Sequence, residues 1–211
     1  MKISGGLEEQ GIVVGNAFDK YGSRNPIVKW IMGGFHRALD ELVVLAAPDS
    51  IHEVGCGEGF WVMHWLQQGI EAKGSDFSSQ VIALARENSA KMTSASGVFL
   101  EKSIYDLERD NDSADLVICC EVLEHLEEPE EGLKALQTIT QNHLIISVPR
   151  EPVWRMLNVF RGKYLSELGN TPGHIQHWSR NGFIQLVQNY FEVIHVRAPL
   201  PWTMLLCRPL L

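Results

Sequence analysis

Positive charge is scarce in this sequence. Its 18 lysines and arginines stand against 26 aspartates and glutamates, a formal net charge of −8. No electrostatic footprint for a nucleic-acid backbone is visible, so no nucleic-acid partner is expected. Cysteine is sparse too. Cys56, Cys119, Cys120 and Cys207 form neither a CxxC pair nor a disulfide framework, and they read as small apolar fillers. Long apolar runs are missing. The opening MKISGGLEEQ has no apolar core of signal-peptide length, and LPWTMLLC is too short to span a bilayer. A reducing, cytoplasmic compartment with no membrane partner is the expectation. Repeats and low-complexity tracts are lacking as well. What remains is a chain of 211 residues, 45% hydrophobic and 21% charged, which suits one sizeable soluble domain.

The pattern along the chain has two parts. Ile27, Trp30, Ile31, Phe35, Leu39, Leu42 and Val43 recur at helical spacing, after a start signal at Asn25-Pro26 and before a stop at Pro48-Asp49. Residues 1–48 are therefore expected to be a helical cap whose stripe packs on the core. Beyond it, short apolar runs at Ile51–Val54, Ile70–Gly74, Val98–Glu101, Asp115–Cys120 and Leu144–Val148 read as strands. Helical stretches at Gly59–Gln68, Ser78–Ala90 and Pro129–Thr140 lie between several of them. This rhythm predicts an α/β, Rossmann-like, doubly wound and mostly parallel sheet. Phe191–Val196 and Thr203–Cys207 read as two more strands, with Pro199 and Pro201 between them. No crossover helix fits there, so that last pair is expected to be antiparallel.

The most informative segment is Ile51-His52-Glu53-Val54-Gly55-Cys56-Gly57-Glu58-Gly59. A strand ends in glycines and a helix follows, which is where open α/β sheets bind ligands. The acids decide which ligand. Glu53 and Glu58 would repel a pyrophosphate, whereas they favour a cation such as the ammonium and sulfonium of S-adenosylmethionine. Asp76 ends the next strand, where a carboxylate accepts the hydroxyls of an adenosine ribose. It also reads as a turn former beside Ser78-Ser79, which suit a helix cap.

These blocks resemble the class I S-adenosylmethionine-dependent methyltransferases, in particular small-molecule members of the type 11/12 kind. Residues 52–59 look like the first family motif, and Gly74-Ser75-Asp76-Phe77-Ser78 looks like the second. Asp115 to Leu126 and Leu144 to Pro149 look like the fourth-strand and fifth-strand motifs. The resemblance implies a seven-stranded sheet with the last strand antiparallel. It implies a cofactor site made by Glu53, Gly55, Cys56, Gly57, Asp76 and Phe77. Ser103 and Ile104 would contact the adenine, and Glu121 would close the methionine side.

Residues 150–180 are expected to be a substrate-side insertion in the single domain 1–211. Arg150, Trp154, Arg155, Arg161, Lys163, Tyr164, His174, His177 and Trp178 form a mixture that a plain connector does not need. His174 and His177 are the candidate catalytic residues, as a base facing the methyl group. The run Glu121-x-x-Glu124-His125, with His174, also resembles the magnesium-binding pattern of some O-methyltransferases. Many family members carry that run without a metal, and no metal ligand is assigned. The expected function is methyl transfer from S-adenosylmethionine to a small-molecule acceptor. The alternatives are an NAD-binding oxidoreductase, whose loop would need glycine where Phe60 stands, and a cofactor-binding module without turnover.

Overall fold

The computed structural model describes residues 1–9, 12–16, 18–91, 98–160, 162, 168–171 and 173–210. A short antiparallel pair, β1 (Glu8–Glu9) and β2 (Ile12–Val13), precedes the first helix. Among the described residues the N-terminal cap is thus helical only in α1 (Pro26–Ala46). Asn25 starts that helix by accepting the Ile27 N–H at 2.9 Å, with proline in the first turn. Ala47 ends it in a left-handed conformation, donating its N–H to the Val43 carbonyl. Of the apolar stripe, Phe35, Leu39, Leu42 and Val43 are buried. Ile27 and Trp30, expected to pack with them, are instead more than 60% exposed. Ile31 and Met32 pack at the edge of the core and full burial begins at Phe35, so the exposed end of α1 is its first turn.

The sheet follows as β3 (Ser50–Val54), β4 (Glu71–Asp76), β5 (Val98–Glu101), β6 (Ala114–Cys120), β7 (Thr140–Pro149), β8 (Phe191–Arg197) and β9 (Trp202–Pro209). Their spatial order is β5-β4-β3-β6-β7-β9-β8. The first five strands run parallel, and β9 pairs antiparallel with both β7 and β8. This is the seven-stranded arrangement expected, with β9 reversed and inserted one place from the edge. The crossovers carry α2 (Phe60–Gln67), α3 (Ser79–Ser89), the short α4 (Arg109–Asp112) and α5 (Pro129–Ile139). Two helices were not anticipated: α6 (Val153–Phe160) in the inserted segment and α7 (Arg180–Gln188) before β8.

Both sheet faces are dry. In β6, Leu116 and Ile118 face the layer built by Leu39, Leu42, Trp61 and Trp65 of α1 and α2. Val117 and Cys119 face the layer of Leu133, Leu136, Phe183 and Val187 from α5 and α7. The two-residue period of a strand thus feeds two cores, as a sheet covered on both sides requires. Cys56, Cys119 and Cys207 are buried free thiols. Strand order reverses between β3 and β6. The crevice at their carboxyl ends is the topological switch point where such sheets bind ligands.

Candidate functional site

Four adjacent strands deliver polar groups to this crevice. Glu53 stands near the end of β3, almost fully buried, and its Oε2 accepts the Val62 N–H at 3.2 Å. Burial pushes its carboxyl well above the usual range, and the charge of Asp76 adds to the shift. The loop that follows has left-handed backbone at Gly55 (φ 75°) and Gly57 (φ 53°). The Gly55 and Cys56 N–H groups donate to the Ser75 carbonyl at 2.7 and 3.0 Å. A Cβ at Gly55 would lie 2.2 Å from a methyl of Val122. The glycine is thus demanded by the protein's own packing.

Asp76 ends β4 and ties the two loops together. Its Oδ2 accepts the Gly57 N–H at 3.1 Å, and its Oδ1 accepts the Ser78 N–H at 3.0 Å. Burial raises its carboxyl despite those hydrogen bonds. Ser78 caps α3 by accepting the Val81 N–H. Both bland readings of this segment therefore hold alongside any ligand role. Phe77 next to it is 39% exposed. The Lys102 N–H donates to the Asp76 carbonyl, bringing Ser103 and Ile104 beside Asp76 at the end of β5. The Ser103 hydroxyl accepts the Tyr105 N–H, and Ile104 is buried.

Glu121 follows β6 with φ 61°, a conformation a non-glycine residue holds only when its surroundings enforce it. Its N–H donates to the Ser147 carbonyl at 3.0 Å. The Trp202 indole N–H donates to Glu121 Oε1, and Lys20 Nζ lies 3.5 Å from Oε2. Tyr21, beside Lys20, stacks on Phe60 with ring centroids 3.7 Å apart. Glu58, in the same loop, is held by the N-terminal segment. It is buried and receives the Ser4 and Asn16 N–H groups at 2.9 and 2.8 Å, anchoring the N-terminal segment over the loop. Burial alone would raise the Glu58 carboxyl; the hydrogen bonds outweigh it and lower it.

Beside Glu121, Glu124 is 2% exposed, and neither of its carboxylate oxygens has a hydrogen-bond partner among the described residues. Burial and the neighbouring Glu121 charge hold it well above the usual carboxylate range. The inserted segment docks on its backbone: the Ile175 and Gln176 N–H groups both donate to the Glu124 carbonyl, at 2.9 and 3.1 Å. This carries His174 onto His125, with ring centroids 4.9 Å apart and planes at 86°. One ligand atom each from Glu124, His125 and His174 lies within 4.8 Å of the others. The Trp154 ring stacks on His174 at 5.7 Å and lies 6.0 Å from Trp202.

Residues 52–142 match the family described as Methyltransferase domain. Over that segment the chain is similar to the class I S-adenosylmethionine-dependent methyltransferases. Among proteins similar to this chain, a ubiquinone biosynthesis O-methyltransferase of Cupriavidus pinatubonensis is 27% identical over 169 residues, covering 71% of this chain and 65% of that protein. Its counterpart in Acinetobacter baylyi is 24% identical over 134 residues, covering 62% and 56%. The chain spans about half to two thirds of the length of the curated relatives it matches. The magnesium protoporphyrin IX methyltransferase of Synechocystis PCC 6803, solved with bound SAH, superposes with a TM-score of 0.68. That match is 20% identical and covers 92% of this chain and 94% of the other.

Of the site residues expected from the sequence, Glu53, Gly55, Cys56, Gly57, Asp76, Phe77, Ser103, Ile104 and Glu121 gather along the ends of β5, β4, β3 and β6. The two histidines part company. His174 is buried against Glu124 and His125, whereas His177 is exposed. The His177 Nε2 lies 2.8 Å from Asn170 Oδ1 and 2.9 Å from Arg155 Nη2. Trp178 packs on Phe183 of α7 and is structural. Arg161, Lys163, Tyr164 and Pro172 lie outside the described residues. Sequence reasoning missed Lys20, Tyr21 and Trp202. No local pattern marks them, because they reach the site only through the fold.

Proposed function

We propose that the chain transfers the methyl group of S-adenosylmethionine to a small-molecule acceptor. The observation that carries the reading is the sign of the site. Glu53, Asp76, Glu121 and Glu124 converge, and Lys20 is the cation paired with them among the described residues. A ligand bearing an ammonium and a sulfonium offsets the cost of buried carboxylates, and a pyrophosphate adds to it. The NAD reading is disfavoured for that reason.

When bound, S-adenosylmethionine supplies a methyl group activated on sulfur. Gly55, Cys56 and Gly57 would offer backbone to it, Glu53 and Glu121 charge for its cationic end, and Asp76 with Phe77 a seat for its ribose. Ser103 and Ile104 would serve the adenine. The chain's own contribution is then alignment: fixed loops hold the acceptor atom in line at near-attack distance. Residues 150–180 form the acceptor side of the single domain 1–211, and residues 1–48 cap the cofactor side. The relatives and neighbours named above act, by their names, on small molecules, which supports that acceptor class. The net charge of −8 supports an acceptor other than nucleic acid. No described helix is long and apolar enough to cross a membrane; a cytoplasmic location belongs to the same reading.

At the acceptor side the geometry separates the histidines. Burial, then the charges of His125 and His177, push the His174 ring down to about 3, so it is neutral and a weak base. A neutral imidazole beside the unpartnered Glu124 carboxylate and His125 fits a divalent cation, and two histidines with a carboxylate suit manganese or zinc better than magnesium. Such a cation would polarise an acceptor oxygen. Calorimetric titration with S-adenosylmethionine and with NAD tests the first reading. Binding of the first alone is expected, and binding of NAD alone overturns it. A screen of small hydroxylated and amino acceptors for S-adenosylhomocysteine release then separates an enzyme from a binding module.

A further inference from the structure

A second cluster of ligand-type side chains lies away from the crevice, where α1 meets α2. His36 and Asp40 stand one turn apart on α1, and His64 faces them from α2. His36 Nε2 is 3.2 Å from Asp40 Oδ2, and His64 Nε2 is 3.3 Å from Asp40 Oδ1. The two imidazole rings meet edge to face with centroids 4.8 Å apart. Trp61 lies against both, at 4.8 Å from His36 and 5.5 Å from His64. All three side chains are half-buried.

We infer that His36, Asp40 and His64 form a binding site for a divalent transition-metal ion of the zinc class, which clamps α1 to α2. One ligand atom from each of the three residues lies within 4.8 Å of the others, and four ligands at about 2.0–2.1 Å from a tetrahedral zinc are spaced by about 3.3 Å.

The Gln68 amide nitrogen lies 2.8 Å from His64 Nε2. A metal ion would satisfy Asp40 and both Nε2 lone pairs together. Turning the Gln68 amide over, an assignment fixed only by its hydrogen bonds, would bring an oxygen towards the fourth position.

The role of such a clamp is structural. The chain before α1 carries Lys20 and Tyr21 onto the crevice, and α2 begins with Phe60, on which Tyr21 stacks. An ion between the two helices would hold that covering segment over the glycine loop.

The test titrates cobalt(II) and zinc(II) into the metal-stripped full chain and into its His36→Ala, Asp40→Asn and His64→Ala variants. Bound ions per chain and the visible band of four-coordinate cobalt are read, with circular dichroism as the check on folding. Each folded variant is expected to bind one ion fewer than the parent or to bind it at least about 100-fold more weakly. Loss of an outer-shell partner alone costs about 10–100-fold, and a ligand should cost no less. A His125→Ala, His174→Ala double variant is expected to keep this ion, because the sites do not overlap. The inference is overturned if the parent binds no ion at micromolar concentration. It is equally overturned if stoichiometry, affinity and cobalt spectrum are the same in the His36→Ala and His64→Ala chains as in the parent.

Discussion

Glu53→Gln should move stability and cofactor affinity in opposite directions. Glu53 is 4% exposed, lies near Asp76, and has a carboxyl pKa well above its ordinary value of 4.5, chiefly through burial. A carboxyl raised on folding costs nothing below its unfolded pKa, where both states are protonated. The cost grows as pH rises above about 4.5 and stops growing at the folded pKa. At pH 7 it cannot exceed about 3.5 kcal/mol, since each pH unit above about 4.5 is worth about 1.4 kcal/mol. Glutamine keeps an oxygen for the Val62 N–H and carries no charge. The ligand-free variant should therefore be more stable than the parent at pH 7, by about 1–3 kcal/mol. The two should converge as pH falls towards 4.5.

Affinity should respond the other way. A hydrogen bond to a charged group contributes about 1.5–3 kcal/mol, so S-adenosylmethionine should bind about 10–100-fold more weakly. Thermal unfolding between pH 5 and 8 and calorimetric titration give the two numbers. If the variant melts lower at pH 7 and binds S-adenosylmethionine as the parent does, Glu53 is only an acceptor for Val62. The electrostatic reasoning behind the cofactor assignment would then be refuted.

The strand rhythm, the antiparallel end of the sheet and the first two ligand loops were legible because local chemistry fixes them. Alternating or continuous apolar runs mark strands, glycines mark the turn after β3, and proline spacing leaves no room for a last crossover. What was illegible depends on distant partners. Ile27 and Trp30 obey helical spacing as well as Leu39 does, but spacing does not say where the neighbouring layer stops. Gly55 was readable as a required glycine, although its steric partner, Val122, was not. Glu58 looked like a loop acid facing a ligand, and only the fold shows it anchoring Ser4 and Asn16. The pairing of His174 with Glu124 rests on two backbone hydrogen bonds between a loop and a turn some 50 residues apart in sequence. No periodicity encodes such a contact.

Three further outcomes follow from the same geometry. Asp76→Ala should weaken S-adenosylmethionine by about 10–100-fold and also lower the melting temperature, because the Gly57 and Ser78 N–H groups lose their acceptor; unchanged affinity in a folded variant removes Asp76 from the site. Gly55→Ala should destabilise the chain even without cofactor, since its Cβ would meet Val122, and Val122→Ala should partly restore the melting temperature. A wild-type melting curve for Gly55→Ala would contradict that packing. The inserted segment gives the sharpest contrast. His174 is buried against Glu124 and His125 with its ring held neutral, whereas the exposed His177 has Arg155 and Asn170 crowded on one nitrogen. Neither touches the glycine loop, so His174→Ala and His177→Ala should both leave S-adenosylmethionine affinity nearly unchanged. With an acceptor in hand, His174→Ala should lower turnover by about 10²-fold or more, the scale of losing a cation that polarises the reacting oxygen, and added manganese should not restore it. His177→Ala should cost melting temperature and little turnover. The reverse ranking, with His177 the more damaging loss, would return the base role to His177 and remove the case for a cation at Glu124.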